Sequence, residues 1–190
     1  MPDLVIPNLV NHDLKILFVG INPGTRSAAV GHHFAGRSNR FWKFLYESGL
    51  TPMKLAGELD YRMLELGYGI TNLVHRSTAT AAELNREEMK EGAKNLLLFI
   101  LEYRPKVAAF LGKDIYRYYA RGAGKELMEF QWGLQPGETV PGVIDFVLPN
   151  PSGLNRIPIP NQLEIYRMLK QAIDPEGKYD HNEITTNKPS

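Results

Sequence analysis

A chain of 190 residues that is 43% apolar can bury one substantial core, so a single domain is expected. Its net charge of +1 rules out a uniformly basic or acidic protein, and the lack of cysteine rules out disulfides, a thiol nucleophile and Cys-ligated zinc or iron–sulfur centres. No apolar run reaches the roughly 18–20 residues of a membrane span. Met1-Pro2-Asp3-Leu4 lacks the basic-then-apolar order of a secretory signal, so a cytoplasmic chain, nucleoid-associated if the source is bacterial, is expected.

The charge is unevenly distributed. From Leu14 to Tyr46 the sequence holds Lys15, Arg26, Arg37, Arg40 and Lys43 but no Asp or Glu, while acids gather at 58–65 and 83–91. A nearly neutral protein with one basic face can still bind a phosphate backbone.

Taken in chain order, Lys15–Gly20 reads as a buried strand and runs into Gly20-Ile21-Asn22-Pro23-Gly24. That turn holds an amide side chain at a strand end, between a Pro that fixes φ and glycines that permit tight turns. Asn39–Ser48 reads as a helix capped by Ser38 or Asn39, and Tyr68–Leu73 as a second strand or an extended loop. Asn85 followed by Glu88 is a capping-box pattern, and Met89, Ala93, Leu96, Leu97, Ile100 and Leu101 then recur at helical spacing. Val107–Leu111 is a buried strand, Lys113–Ala120 a helix, Val143–Leu148 a strand, and Gln162–Ile173 the last helix. Strands alternating with helices predict a three-layer α/β/α sandwich around a mostly parallel sheet. The domain is expected over residues 1–173, with 174–190 a polar, flexible tail.

Two loops follow buried strands, Ile21 to Ser38 and Pro149 to Pro160. In a parallel sheet both emerge at the strands' C-terminal edge, where ligands bind, so the cleft between them is the expected site. Six motifs lie along 15–169: Gly20-Ile21-Asn22-Pro23-Gly24, Gly31-His32-His33-Phe34, Asn39-Arg40-Phe41-Trp42-Lys43, Gly69-Ile70-Thr71-Asn72-Leu73-Val74, Leu111-Gly112-Lys113 and Asn150-Pro151-Ser152-Gly153-Leu154-Asn155-Arg156. In this order and spacing the chain resembles the mismatch-specific uracil/thymine DNA glycosylases, a subfamily of the uracil-DNA glycosylase superfamily. The resemblance is mixed. Asn150 to Arg156 and Phe34 look like the bacterial mismatch uracil enzymes. Gly31-His32-His33, Asn72 and Gly133-Leu134-Gln135-Pro136 look like the thymine enzymes.

The resemblance implies base excision repair without a cofactor or metal, by a monomer acting on double-stranded DNA with G·U or G·T mismatches. Asn22 is then the catalytic residue. It can place a water by hydrogen bonding but cannot take its proton at neutral pH, whereas related enzymes often carry Asp there. Ile21, Ser27, His33, Phe34 and Asn72 form the base pocket, with Phe34 as a stacking face and Asn72 as an amide toward the pyrimidine. Leu154 fills the vacated stack, Gly153 lets the backbone approach the bases, and Arg156 reaches a phosphate or the orphaned guanine. His32, Arg40, Lys43 and Ser152 are candidates for phosphate or leaving-group contacts.

Several residues also have structural readings. Asn22 could close its own turn, the adjacent histidines could brace their loop, and Arg40 and Lys43 could lie on a solvated helix face. Adjacent histidines without a third ligand do not make a metal site. No Lys is placed for a Schiff base, so strand cleavage by a lyase step is not expected. The alternative from another class is a non-catalytic lesion- or abasic-site-binding module on the same fold. A nucleotide hydrolase is weaker, because neither phosphate-binding glycine motif is present.

Overall fold

The computed structural model describes residues 5–127 and 131–175. All but the first two residues of the expected tail lie outside the described residues. Five strands form one sheet: β1 (Ile16–Gly20), β2 (Tyr68–Asn72), β3 (Val107–Leu111), β4 (Gly133–Leu134) and β5 (Ile144–Leu148), in the order β2-β1-β3-β5-β4. All strand pairs are parallel except β4 with β5. β1, β2 and β3 are buried along their whole length, as expected for parallel strands covered on both faces.

The helices are α1 (Thr25–Val30), α2 (Phe41–Glu47), α3 (Arg86–Tyr103), α4 (Lys113–Gly122) and α5 (Ile159–Ile173). Strand register shows how they form two layers. Phe18 of β1 sits beside Ala109 of β3, so Phe18 and Phe110 point to opposite faces. Phe18 meets Phe41 of α2 edge-on at 5.3 Å, and Phe44 of α2 meets Tyr166 of α5 at 5.0 Å. On the other face Phe110 packs on Tyr116 and Tyr119 of α4 at 5.2 and 4.7 Å. There α3 approaches α4 so closely that a Cβ on Gly122 would stand 3.1 Å from that of Ala93. The three-layer expectation is met.

Element boundaries follow local chemistry. The Asn85 side chain accepts from the N–H groups of Glu87 and Glu88, both at 2.9 Å, while Glu88 accepts from the Asn85 N–H at 2.9 Å, closing the expected capping box. α2 begins at Phe41 with Arg40 at its N-cap rather than Ser38 or Asn39; Asn39 Oδ1, one residue earlier, accepts from the Phe41 N–H at 2.9 Å. α5 begins at Ile159, earlier than expected, because Pro160 falls in the first turn, where a missing N–H breaks no helical bond. Along α3, Leu101 is exposed rather than part of the buried stripe. Val143 lies outside β5; its N–H turns back to the carbonyl of Val140. The 3₁₀ stretch Gly57–Leu66 and the edge strand β4 were not anticipated.

β2 lies on one side of β1 and β3 on the other, so the chain crosses over between β1 and β3. The crevice beyond the C-terminal ends of those strands is where open α/β sheets bind ligands.

Candidate active site

A cleft of about 220 Å³ opens at that edge. Gly20 ends β1, Asn72 ends β2, Leu111 ends β3, and Asn150 follows β5; all four line the cleft. The two loops singled out in the sequence therefore meet, the first through Ile21, Asn22, Ser27, His33 and Phe34, the second through Asn150, Pro151 and Ser152. Among the described residues no Asp or Glu lines the cleft, and Arg26 and His33 are its ionisable residues.

Asn22 is held by a long-range network rather than by its own turn. Its Nδ2 donates to the carbonyl of Arg76 at 3.0 Å and to Thr78 Oγ1 at 2.7 Å. The Thr78 hydroxyl has a single proton, and it goes to the carbonyl of Thr80 at 2.8 Å. Thr78 can therefore only accept from Asn22, which fixes the amide orientation. Both amide protons are engaged, so Asn22 offers only its Oδ1 as an acceptor. The Arg76 guanidinium in turn grips Glu88 at 2.6 and 3.1 Å, tying this segment to the start of α3. That contact, then the bond from the Asn85 N–H, brings the Glu88 carboxyl down to about 2.

Opposite, the Phe34 ring rests on Phe41, with centroids 4.0 Å apart. Phe34 adopts a left-handed φ of 52°, unusual for an aromatic residue and held by its surroundings. Asn72 is buried, and its side chain makes no hydrogen bond to a described residue. A Cβ on Gly20 would lie 2.5 Å from Asn72 Oδ1, so a larger residue there would push the Asn72 amide aside, while Phe34 Cε1 at 3.7 Å would be in ordinary contact. Ser27 Oγ accepts the Ala35 N–H at 3.0 Å, which fixes the loop carrying Phe34.

The histidines share one carboxylate. His33 donates its main-chain N–H to Asp60 Oδ2 at 2.8 Å and sets Nδ1 3.1 Å from the same oxygen, while His32 Nδ1 lies 3.4 Å from Oδ1. Burial alone would raise the Asp60 carboxyl; the bonds from the His33 ring and backbone outweigh it and hold the carboxyl below its ordinary value. His33 is buried at the cleft wall, with Nε2 sheltered and unpartnered among the described residues. His32 does not line the cleft and acts as a brace. The basic segment 14–46, free of acids in sequence, thus receives a carboxylate from the stretch 58–65.

The second loop is held by its own side chains. Asn150 Oδ1 accepts from the Ser152 N–H at 2.8 Å, Ser152 Oγ from the Leu154 N–H at 3.2 Å, and Asn155 Oδ1 from the Ile157 N–H at 3.0 Å. Asn155 Nδ2 also closes the loop onto the Asn150 carbonyl at 2.8 Å. Leu154 stands at the tip, 86% exposed. Arg40 supports the loop from behind, donating to the carbonyl of Gly153 at 3.2 Å and toward that of Asn155 at 3.5 Å. The sequence left phosphate contact and a solvated helix face open for Arg40; in the structure its guanidinium braces this loop. Lys43 is also away from the cleft, 3.7 Å from Glu47 on an exposed helix face. At Gly153 the close approach is to Ser38, whose Cβ would stand 2.7 Å from an added Cβ. Arg156 is exposed beside the tip.

Sequence reasoning missed Asp60, Thr78 and Arg76. Asp60 lies 27 residues beyond His33 in an acidic stretch that reads as solvated surface, so no local signal marked it. Thr78 had a weak signal, a hydroxyl between β2 and the capping box of α3.

The sequence model of the uracil DNA glycosylase superfamily matches residues 7–172. Among solved structures, the solution NMR structure of a candidate uracil DNA glycosylase from Methanosarcina acetivorans superimposes with a TM-score of 0.56. It is 19% identical, and the alignment covers 88% of this chain and 98% of that one. At that identity the likeness speaks for the fold alone. The family match spans most of the chain, including every strand and both cleft loops: the protein belongs to the uracil DNA glycosylase superfamily.

Proposed function

We propose that this protein is a monofunctional DNA glycosylase that hydrolyses the N-glycosidic bond of uracil mispaired with guanine, with thymine and modified pyrimidines opposite guanine as further candidates. Membership of the superfamily implies a DNA glycosylase; the mismatch preference and the mechanism are our reading. The observation that carries it is Asn22, locked so that only an acceptor oxygen is left for a cleft that no described Asp or Glu lines.

A water at Asn22 Oδ1 donates a hydrogen bond and is aimed at C1′, but it is not deprotonated. Bond breaking must therefore run ahead of attack. The C1′–N bond breaks and its electron pair leaves with the base as an anion. The sugar becomes oxocarbenium-like, the water oxygen bonds to C1′, and its proton passes to solvent or to the departed base. Positioning and a site that favours the departing anion supply the acceleration. Such an enzyme depends on how easily the base leaves the stack, and flipping costs a few kcal/mol, least for a mispaired base. The exposed Leu154 on its braced loop suits the role of filling the gap.

The test is a duplex with a single G·U pair, incubated with protein in excess and then treated with alkali. The expected result is a break at the uracil only after alkali. Binding without an alkali-labile strand at stoichiometric protein would overturn the enzymatic reading in favour of a lesion-binding module. Equal cleavage of A·U and G·U duplexes would remove the mismatch preference.

A further inference from the structure

Binding a duplex requires cations that meet phosphates, and the cleft is poorly supplied with them. Arg40 is engaged by loop carbonyls and Lys43 is paired with Glu47. A group of cations lies elsewhere, in a groove of about 840 Å³ between α3 and α4. Arg86, Lys90 and Lys94 line one wall, and Arg117 and Arg121 the other. Within each wall the cations recur every four residues, one step of about 6 Å along a helix. Among the described residues Asp114 is the only carboxylate lining the groove, and it pairs with Arg117 at 2.6 Å. Arg86 and Arg121 have no ion-pair partner among the described residues. Lys90 and Lys94 make only exposed pairs with Glu87 and Glu91, which phosphates can replace. Ile21 and Ala81 line both this groove and the cleft, so the two adjoin.

We propose that the α3–α4 groove is a second DNA contact, holding the phosphate backbone of the strand that runs on from the flipped nucleotide. This rests on the glycosylase reading and deepens it. The cleft would recognise the base and the groove would supply sequence-independent affinity. Three features point to a nucleic acid strand rather than an acidic protein: the position of the groove directly beside the cleft, the repeated cation spacing, and a polyanionic substrate already implied for the adjoining site.

The test compares the parent with Lys90→Gln/Lys94→Gln/Arg121→Gln. These positions are exposed and helical, and Gln is a good helix former, so folding should be kept. Binding to a G·U duplex with long flanks is measured across a salt series, alongside single-turnover cleavage at saturating protein. Loss of three phosphate contacts should lower the slope of log K against log salt by about 2–3 and weaken binding by about tenfold or more at moderate salt. The saturated cleavage rate should be unchanged. The control Lys54→Gln/Lys106→Gln/Arg167→Gln, of equal charge, should alter the slope much less. An unchanged slope and affinity, or an equal change in the control, overturns the groove proposal. If no variant cleaves but the slope still falls, the groove stands and the glycosylase reading fails.

Discussion

At the scale of single residues, the site works by removing choices. Asn22 has its donors engaged, so Asn22→Ala should abolish cleavage while leaving DNA affinity within a few-fold, measured by single-turnover kinetics and a binding titration. Thr78→Val removes one acceptor and frees the amide to turn. A hydrogen bond is worth about 1 kcal/mol, so cleavage should slow by roughly five- to tenfold. An unchanged rate would show that Thr78 does not orient the amide. Asp60 carries a stability prediction. Its carboxyl sits below the ordinary value of 3.8, so the folded state binds fewer protons there than the unfolded state. The stability it adds is complete above pH 4 and is lost as pH falls through the lowered value. Asp60→Asn should cost about 1.5–3 kcal/mol at pH 7. In urea titrations the two proteins should converge below the ordinary carboxylate range. A gap that persists there would mean that Asp60 acts by packing, not charge. None of this partnership was legible in the sequence, because folding alone brings Asp60 to His33. Asn22 was legible because a buried strand and two glycines frame it.

At the scale of elements, the strands, the long helices and the two cleft loops could be read because burial and periodicity are strong signals there. The 3₁₀ stretch Gly57–Leu66 and the two-residue β4 could not, since neither is long or regular enough to impose a period. Phe34 hid its backbone state for another reason: a left-handed φ is usually announced by Gly or Asn. The Asn150–Arg156 loop is the element most open to test. Leu154→Ala should reduce activity on paired DNA by about tenfold or more and on single strands far less, since only a duplex leaves a gap to fill. Equal losses on both substrates would rule out a wedge. The bracing by Arg40 is not legible in the sequence, because Arg suits both carbonyl bracing and phosphate contact and the carbonyls it meets lie 113 and 115 residues away.

At the scale of the whole molecule, the core is rich in tyrosines that hold the helical layers to the sheet. Burial, then the charge of Asp145, pushes Tyr116 and Tyr119 well above the ordinary tyrosine range, and burial alone does the same for Tyr166. The folded state thus keeps protons that the unfolded state would release above about pH 10, so stability should fall as pH rises beyond that point. An ultraviolet titration should show these three ionising only with alkaline unfolding, behind the exposed tyrosines. Early titration of all nine would contradict the packing described. The self-braced tip carrying Leu154 also has a kinetic consequence. In the proposed wedge role, a tip already ordered before it meets DNA would lose little freedom on insertion, and gain equally little by withdrawing. Departure from the abasic product should then be the slow step. Time courses should show a stoichiometric burst followed by a much slower steady phase, so that each molecule shields the damage it has made until a later repair step displaces it.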